Sequence, residues 1–431
     1  MAPNGTCKAL LGLYDLLWPL AIPALWLAPR LREGFSERLL RPGPDGFVDV
    51  WMQAASGGEA YLVRELALAL PAALAEERPL RILATTNTRQ GREVLERAAA
   101  EVAGRHPGVT LIPAYCPFDQ PSLMARAMEQ ASPRVLVLLE TEIWPGLLAA
   151  AREFDVPVVL ANARMNARSL AGYLCAGRLL RELAPQRVLA VSDEAALRFS
   201  LLFGAARVER MNNIKFDRFA TPAPEDGAAP GSGPVAAVMG DGRPWAVMAS
   251  VRRQEERDVL AALRGIRAAR PQAGLAVFPR HMHRLDFWRR TLYECGLPPV
   301  MRSTLAAPPA PGSVVLWDTF GELAGAYAFC TAAFVGGSLR PLGGQNFLEP
   351  LAHGVVPVIG PHWSNFAWVG RDIVDQGLAV EVDGPRELAG AMIAALDRPP
   401  ARQDVRARVA AYVDTRRGGT RQAAERIASY L

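Results

Sequence analysis

The chain has 431 residues, 50% of them hydrophobic and 21% charged, with a formal net charge of +5. That length is too great for one ordinary hydrophobic core and suits two domains, and the composition excludes a disordered or fibrous chain. Nearly all the positive charge is arginine, the only lysines being Lys8 and Lys215; with no nucleic-acid recognition pattern beside it, the charge implies no nucleic-acid partner.

In chain order, the first feature is the apolar run Ala9 to Ala28, interrupted only by Asp15, Pro19 and Pro23. About 20 such residues match a bilayer span. Lys8 is the single preceding charge, whereas Arg30, Arg32, Arg38 and Arg41 follow, which places the body of the protein on the cytoplasmic side. Residues 1–28 therefore read as a membrane anchor, either spanning or lying in the interface. A helix packed on a soluble core is the competing reading.

Residues 29–220 alternate short apolar strands with helices. Strands are expected at 47–55, 81–86, 109–113, 135–139, 156–161 and 188–191, with helices at 60–70, 91–103, 121–129, 144–153 and from 194. That rhythm marks βαβ units and a parallel sheet covered on both faces. Residues 221–244 are dense in Pro, Gly, Ala and Ser and read as a connector. The alternation resumes over 245–412, with strands expected at 245–250, 275–279, 314–317, 332–335, 356–359 and 379–382. A last segment, 413–431, ends in a helix. The fold class is α/β, two doubly wound parallel-sheet domains facing a cleft, and ligands of such sheets bind beyond the carboxyl ends of strands.

The residues just past the strands are therefore the site candidates. Ser56, Gly57, Gly58 and Glu59 follow the first strand and open a helix, where amides suit an anion and a carboxylate is equally a helix cap. Glu140 and Glu142 follow the strand VLVLL; one is expected to cap the helix that Pro145 opens and the other to face the cleft. Asn162 and Arg164 place an amide and a guanidinium at the same rim. In the second half, Pro279, Arg280 and His281 end a strand. Gly336, Gly337 and Ser338 end another, and Gly343 and Gly344 precede a helix expected to carry Asn346 and, one turn in, Glu349. Amides there suit a phosphate, and Glu349 suits ribose hydroxyls. The five cysteines form no CxxC pair and the five histidines lack metal spacing, so neither a disulfide framework nor a metal site is expected.

With these motifs in hand, nearly the whole chain resembles the 3-deoxy-D-manno-octulosonic acid (Kdo) transferases of lipopolysaccharide synthesis. The resemblance runs through residues 54–59, 85–88 (TTNT), 117–121 (PFDQP), 138–145 (LLETEIWP), 162–173 (NARMNARSLAGY), 192–199 (SDEAALRF), 212–217 (NNIKFD), 318–323 (DTFGEL) and 334–366. It implies a GT-B-like fold whose terminal helix crosses back to the first domain. It also implies inverting transfer of Kdo from CMP-Kdo, a substrate rather than a cofactor, to a lipid A precursor at the cytoplasmic face of the inner membrane. Glu59 would be the general base. Glu142 or Glu140 would support the donor sugar, and Arg164, Lys215 and Arg280 would face carboxylate and phosphate. Ser250, Asn346 and Glu349, with Pro279, His281, Gly336, Gly337 and Gly344, would hold the nucleotide. Another GT-B nucleotide-sugar transferase, a nucleotide-sugar epimerase and a non-enzymatic nucleotide-sugar binding module are the alternatives.

The chain departs from the family pattern at several points. Gln53 stands where His is usual, Gly57 where a branched residue is usual, and Gln345 where the family has His. The segment 251–256 also differs, as do Asn212 and Ile214, where the family prefers GNLKFD to NNIKFD. Glutamine replaces a histidine donor but cannot become cationic.

Overall fold

A computed structural model describes residues 5–43, 46–76, 78–219 and 233–431, without the side chains of residues 29 and 30. The chain divides into two compact units, Met1–Arg218 with Arg416–Leu431, and Phe219–Thr415.

The first unit is built on β1 (Val50–Ala54), β2 (Leu80–Thr86), β3 (Val109–Tyr115), β4 (Val135–Leu139), β5 (Val158–Ala163), β6 (Arg187–Ala190) and β7 (Val208–Arg210). They form one parallel sheet in the order β3-β2-β1-β4-β5-β6-β7. β1, β4 and β5 are buried throughout, because helices cover both faces and no position along them meets water. One face packs Trp51, Leu136, Leu138 and Phe199; the other packs Met52, Val137 and Leu66 together with Ala423, Ala424 and Ile427. Those last three belong to the terminal helix Gly419–Ala428. Asp217 fixes its start by accepting from the amides of Gly418 (2.6 Å) and Thr420 (2.7 Å), which satisfies donors that a helix leaves unpaired.

The second unit contains β8 (Trp245–Val251), β9 (Gly274–Pro279), β10 (Pro299–Met301), β11 (Val314–Leu316), β12 (Ala332–Val335), β13 (Pro357–Ile359) and β14 (Val380–Glu381). Their order is β10-β11-β9-β8-β12-β13-β14, again all parallel. The strand order therefore reverses between β1 and β4 in the first sheet and between β8 and β12 in the second. Ligands of open α/β sheets collect at such reversals.

Several expectations need correction. Of the expected connector, residues 221–232 lie outside the described residues, and its later part contains the helix Pro234–Met239, whose Val238 and Met239 are buried. A segment with those apolar side chains packs rather than links. Pro71 lies within the helix Gly57–Ala73 and does not end it. It sits in the last turns, where loss of one backbone donor is tolerated. The helices Ala167–Cys175 and Gly177–Glu182 and the edge strands β7 and β10 were not expected. Both strands are three residues long and incompletely buried, so they carry no apolar run to read.

Candidate active site

Within the first unit, the residues just beyond β1 and β4 meet at the reversal. Ser56 begins the helix Gly57–Ala73 through its carbonyl, which accepts from Ala60 at 2.9 Å, and its hydroxyl makes no cap. Gly57 is buried, and a Cβ there would meet only the flexible side chain of Gln90; Gly58 has room. Glu59, in the first turn, accepts from the Ala55 amide at 2.5 Å. Burial first, then the neighbouring carboxylates of Glu142 and Glu140, push its carboxyl up to about 7. A helix N-terminus ordinarily favours the anion, so desolvation and like charge outweigh the dipole here.

Glu142 is buried and raised by burial, opposed by two donors. Trp144 Nε1 donates to its Oε2 at 2.7 Å and Gln53 Nε2 at 3.2 Å. Behind Gln53, Thr85 donates to its Oε1 at 2.6 Å, and Trp51 Nε1 donates to the Thr85 hydroxyl at 2.8 Å. A continuous polar chain thus runs through the β1–β2 core to Glu142.

Glu140 has a different environment. It takes left-handed backbone, φ +54°, and its buried carboxylate accepts from Arg164 Nε and Lys215 Nζ, each at 2.5 Å. The two cations assigned to substrate are therefore held on a carboxylate of the same unit. Neither Glu140 nor Glu142 caps the helix Pro145–Glu153. That role belongs to Asp119, which accepts from Gly146 (3.0 Å) and Leu147 (2.8 Å) and is reached by the Tyr14 hydroxyl at 3.0 Å. Burial raises Asp119 to about 6, against the pull of these donors. Asn162, at φ +52° and fully buried, accepts from the Ile214 amide at 3.0 Å and so ties β5 to the Lys215 segment.

In the second unit the reversal brings together the ends of β8 and β12. Ser250 takes φ +52°. A Cβ on Gly336 would stand 2.7 Å from the Ser250 carbonyl, so only glycine fits this approach. The amides that follow β12 are engaged. Glu255, fully buried, accepts from the amides of Gly337 (2.6 Å), Ser338 (2.9 Å) and Leu339 (2.8 Å). The amides of Gly344 and Gln345 bond the carbonyls of Gly337 and Gly336. A carboxylate in a nest of amides makes strong charge-assisted bonds, and here it belongs to the chain itself.

Asn346 precedes the helix Leu348–Ala352 and is not on it. Its Oδ1 accepts from the Leu348 amide at 3.2 Å, and its Nδ2 donates to Glu349 at 2.8 Å. Glu349 lies in the first turn, half-buried and raised by burial. Pro279 is the buried end of β9, while Arg280 and His281 are exposed beyond it. Partial burial and the cations Arg252 and Arg280 lower the His281 pKa, and its ring stacks on His283 at 5.5 Å. Gly343, Pro361, His362 and Trp363 line a cavity of about 350 Å³.

Asp119 and Glu255 were missed as site supports. Asp119 stands in PFDQP, two positions ahead of the proline that opens the helix Pro121–Ala131, yet it caps a different helix, Pro145–Glu153. Glu255 follows β8 in a segment without a recognisable turn, and nothing local marks its reach to β12. Among the described residues no group of three His, Cys, Asp or Glu side chains gathers in metal-binding geometry.

The family profile of 3-deoxy-D-manno-octulosonic-acid transferase (kdotransferase) matches residues 30–218. The 3-deoxy-D-manno-octulosonic acid transferase of Bordetella pertussis is 34% identical over 442 aligned residues, covering 98% of each chain. That of Haemophilus influenzae is 29% identical, covering 86% of this chain and 84% of its own. Among solved structures, a glycosyltransferase from Rickettsia africae matches with a TM-score of 0.56 at 10% identity, over 90% of this chain and 99% of that one. This last likeness concerns the fold, which is GT-B-like.

Proposed function

This chain belongs to the 3-deoxy-D-manno-octulosonic-acid transferase family and is a glycosyltransferase; from that premise we propose that it transfers Kdo from CMP-Kdo to a lipid A precursor of the lipid IVA type, with Glu59 as the base. The observation that carries the reading is the environment of Glu59, a carboxyl held near neutrality by burial and by Glu142 and Glu140. A base whose pKa lies close to the working pH is both available and strong enough to take a proton.

In the reaction, a glucosamine hydroxyl of the acceptor gives its proton to Glu59 as its oxygen attacks the anomeric carbon of Kdo. The bond from that carbon to the CMP phosphate breaks, and CMP leaves with the electron pair from the opposite face, so the anomeric centre inverts. Glu142, fixed by Gln53 and Trp144, stabilises positive charge that develops on the donor sugar. Arg164 and Lys215, aligned by Glu140, and Arg280 attract the donor's carboxylate and phosphate. Ser250, Pro279, His281, Gly336, Gly337, Gly344, Asn346 and Glu349 form the nucleotide-binding region, where Glu255 sets the loop geometry and the nucleotide binds beside it. The reaction uses no cofactor.

The helix Gly5–Trp26, with mean hydropathy 1.5 over 18 residues, attaches the enzyme to the cytoplasmic face of the inner membrane, where the acceptor resides. The test is transfer of Kdo from CMP-Kdo to a tetra-acylated, bisphosphorylated glucosamine disaccharide. Product that depends on both substrates supports the reading, and no product from folded wild-type protein overturns the donor and acceptor assignment.

A further inference from the structure

The helix Gly5–Trp26 is apolar on every side, and a helix of that kind is stable in water only when all its faces are covered. One face is covered by the first unit. Cys7, Leu11, Tyr14, Trp18, Ile22 and Leu25 are buried or partly buried, at spacings of three and four that trace a single stripe. The stripe extends for about 27 Å at 1.5 Å per residue. Polar bonds fasten it: Asp15 accepts from the Ser122 amide at 2.7 Å, and Tyr14 donates to Asp119 at 3.0 Å. The Trp18 ring lies 6.0 Å from Phe118. Asp15, the one acid of the run, thus caps the helix Pro121–Ala131.

The opposite face is uncovered and consists of large side chains. Leu16, Leu20 and Leu27 are 71%, 76% and 74% exposed, and Trp26 is half exposed. A crossing helix must place about 20 residues, on all faces, in roughly 30 Å of hydrocarbon. Crossing would strip the whole inner stripe from the unit and carry Asp15 into lipid without its partner. Lys8 and Arg32, both exposed, flank the apolar run, where anionic headgroups attract cations.

We infer that this helix lies in the plane of one leaflet of an anionic phospholipid bilayer, with Leu16, Leu20, Trp26 and Leu27 in the acyl boundary and both its ends on the side of the globular units. The inference rests on the membrane attachment proposed above and specifies its geometry.

The test uses the full-length protein with an epitope tag ahead of residue 1, in inverted inner-membrane vesicles whose cytoplasmic face is outward. Added protease is expected to remove the tag together with the globular body. A protected tag beside a digested body overturns the inference and indicates crossing. A protein absent from the vesicles overturns the attachment reading itself. In a second arm, Leu16→Glu with Leu20→Glu is expected to weaken binding to phosphatidylethanolamine–phosphatidylglycerol vesicles at least tenfold with unchanged Tm. Unchanged binding contradicts the inference. So does a lipid-free dimer that these substitutions dissociate, since the face would then belong to a second copy.

Discussion

Gln53 donates from its amide nitrogen to Glu142 across 3.2 Å, and the direction of that bond is set two residues away. Trp51 Nε1 has only a proton to offer, so the Thr85 hydroxyl must accept it and spend its own proton on the Gln53 oxygen. The amide nitrogen is then left facing Glu142. A neutral side chain in this place orients the carboxylate without neutralising it, and the negative charge that raises Glu59 is preserved.

Gln53→Leu breaks this chain in the middle. The Glu142 carboxylate loses one of its two donors and its pKa rises further. We expect a stability loss of about 1–3 kcal/mol, seen in urea melts, and a several-fold fall in kcat at pH 7. Wild-type rates would show that Glu142 needs no orientation.

The pH dependence follows from Glu59. Its carboxyl is raised to about 7 from the ordinary 4.5, and the base form exists only above that pKa. Accordingly kcat/KM is expected to rise through about pH 7, a limb missing from whatever residual activity Glu59→Gln retains. Stability moves the opposite way. A carboxyl with a raised pKa is neutral at no cost below pH 4.5; the cost of ionising it grows from there to about pH 7 and is constant above. Glu59→Gln should therefore gain about 1–3 kcal/mol over wild type between pH 5 and pH 8, measured by denaturant unfolding at each pH.

Asp119→Ala leaves the amides of Gly146 and Leu147 without their acceptor at a buried helix start. The expected cost is about 2 kcal/mol. Because the segment 140–144 immediately precedes that helix, kcat should fall more than KM changes. A purely structural cap would lower Tm and leave the rate of the folded fraction intact.

Glu255→Ala empties a nest of three amides. We expect at least 3 kcal/mol of destabilisation, in the range for removing one partner of a buried charged network, and weakened CMP binding by calorimetry. Tight CMP binding with restored phosphate contacts to Gly337 would instead make Glu255 a placeholder for the ligand.

Much of the fold was legible because the strands are continuous apolar runs. VLVLL at 135–139 and AAFV at 332–335 coincide with β4 and β12. The ranges 47–55 and 356–359 overran β1 and β13, since the apolar pattern in the sequence extends past the hydrogen-bonded ladder. The candidate site residues could be named from their places after strands, but their partners could not. Arg164 and Lys215 are separated by 51 positions and converge on Glu140 only through the β5–β6 crossover and the Asn162 tie. Glu255 reaches Gly337 across 82 positions. Such pairings are products of topology and leave no local periodicity. The segment around Asp15 shows the same limit, since an acid in an apolar run reads as a defect until the Ser122 amide is seen opposite it.

The central claim is that Glu59 is the base of Kdo transfer. The most direct measurement is the single-turnover rate of Kdo transfer from CMP-Kdo to the lipid A precursor by wild type and Glu59→Gln at pH 7.5, with both proteins saturated in CMP-Kdo. The account predicts a loss of at least a hundredfold in the variant, within the range for a general base, with donor affinity unchanged. A Glu59→Gln protein that transfers at the wild-type rate would contradict it.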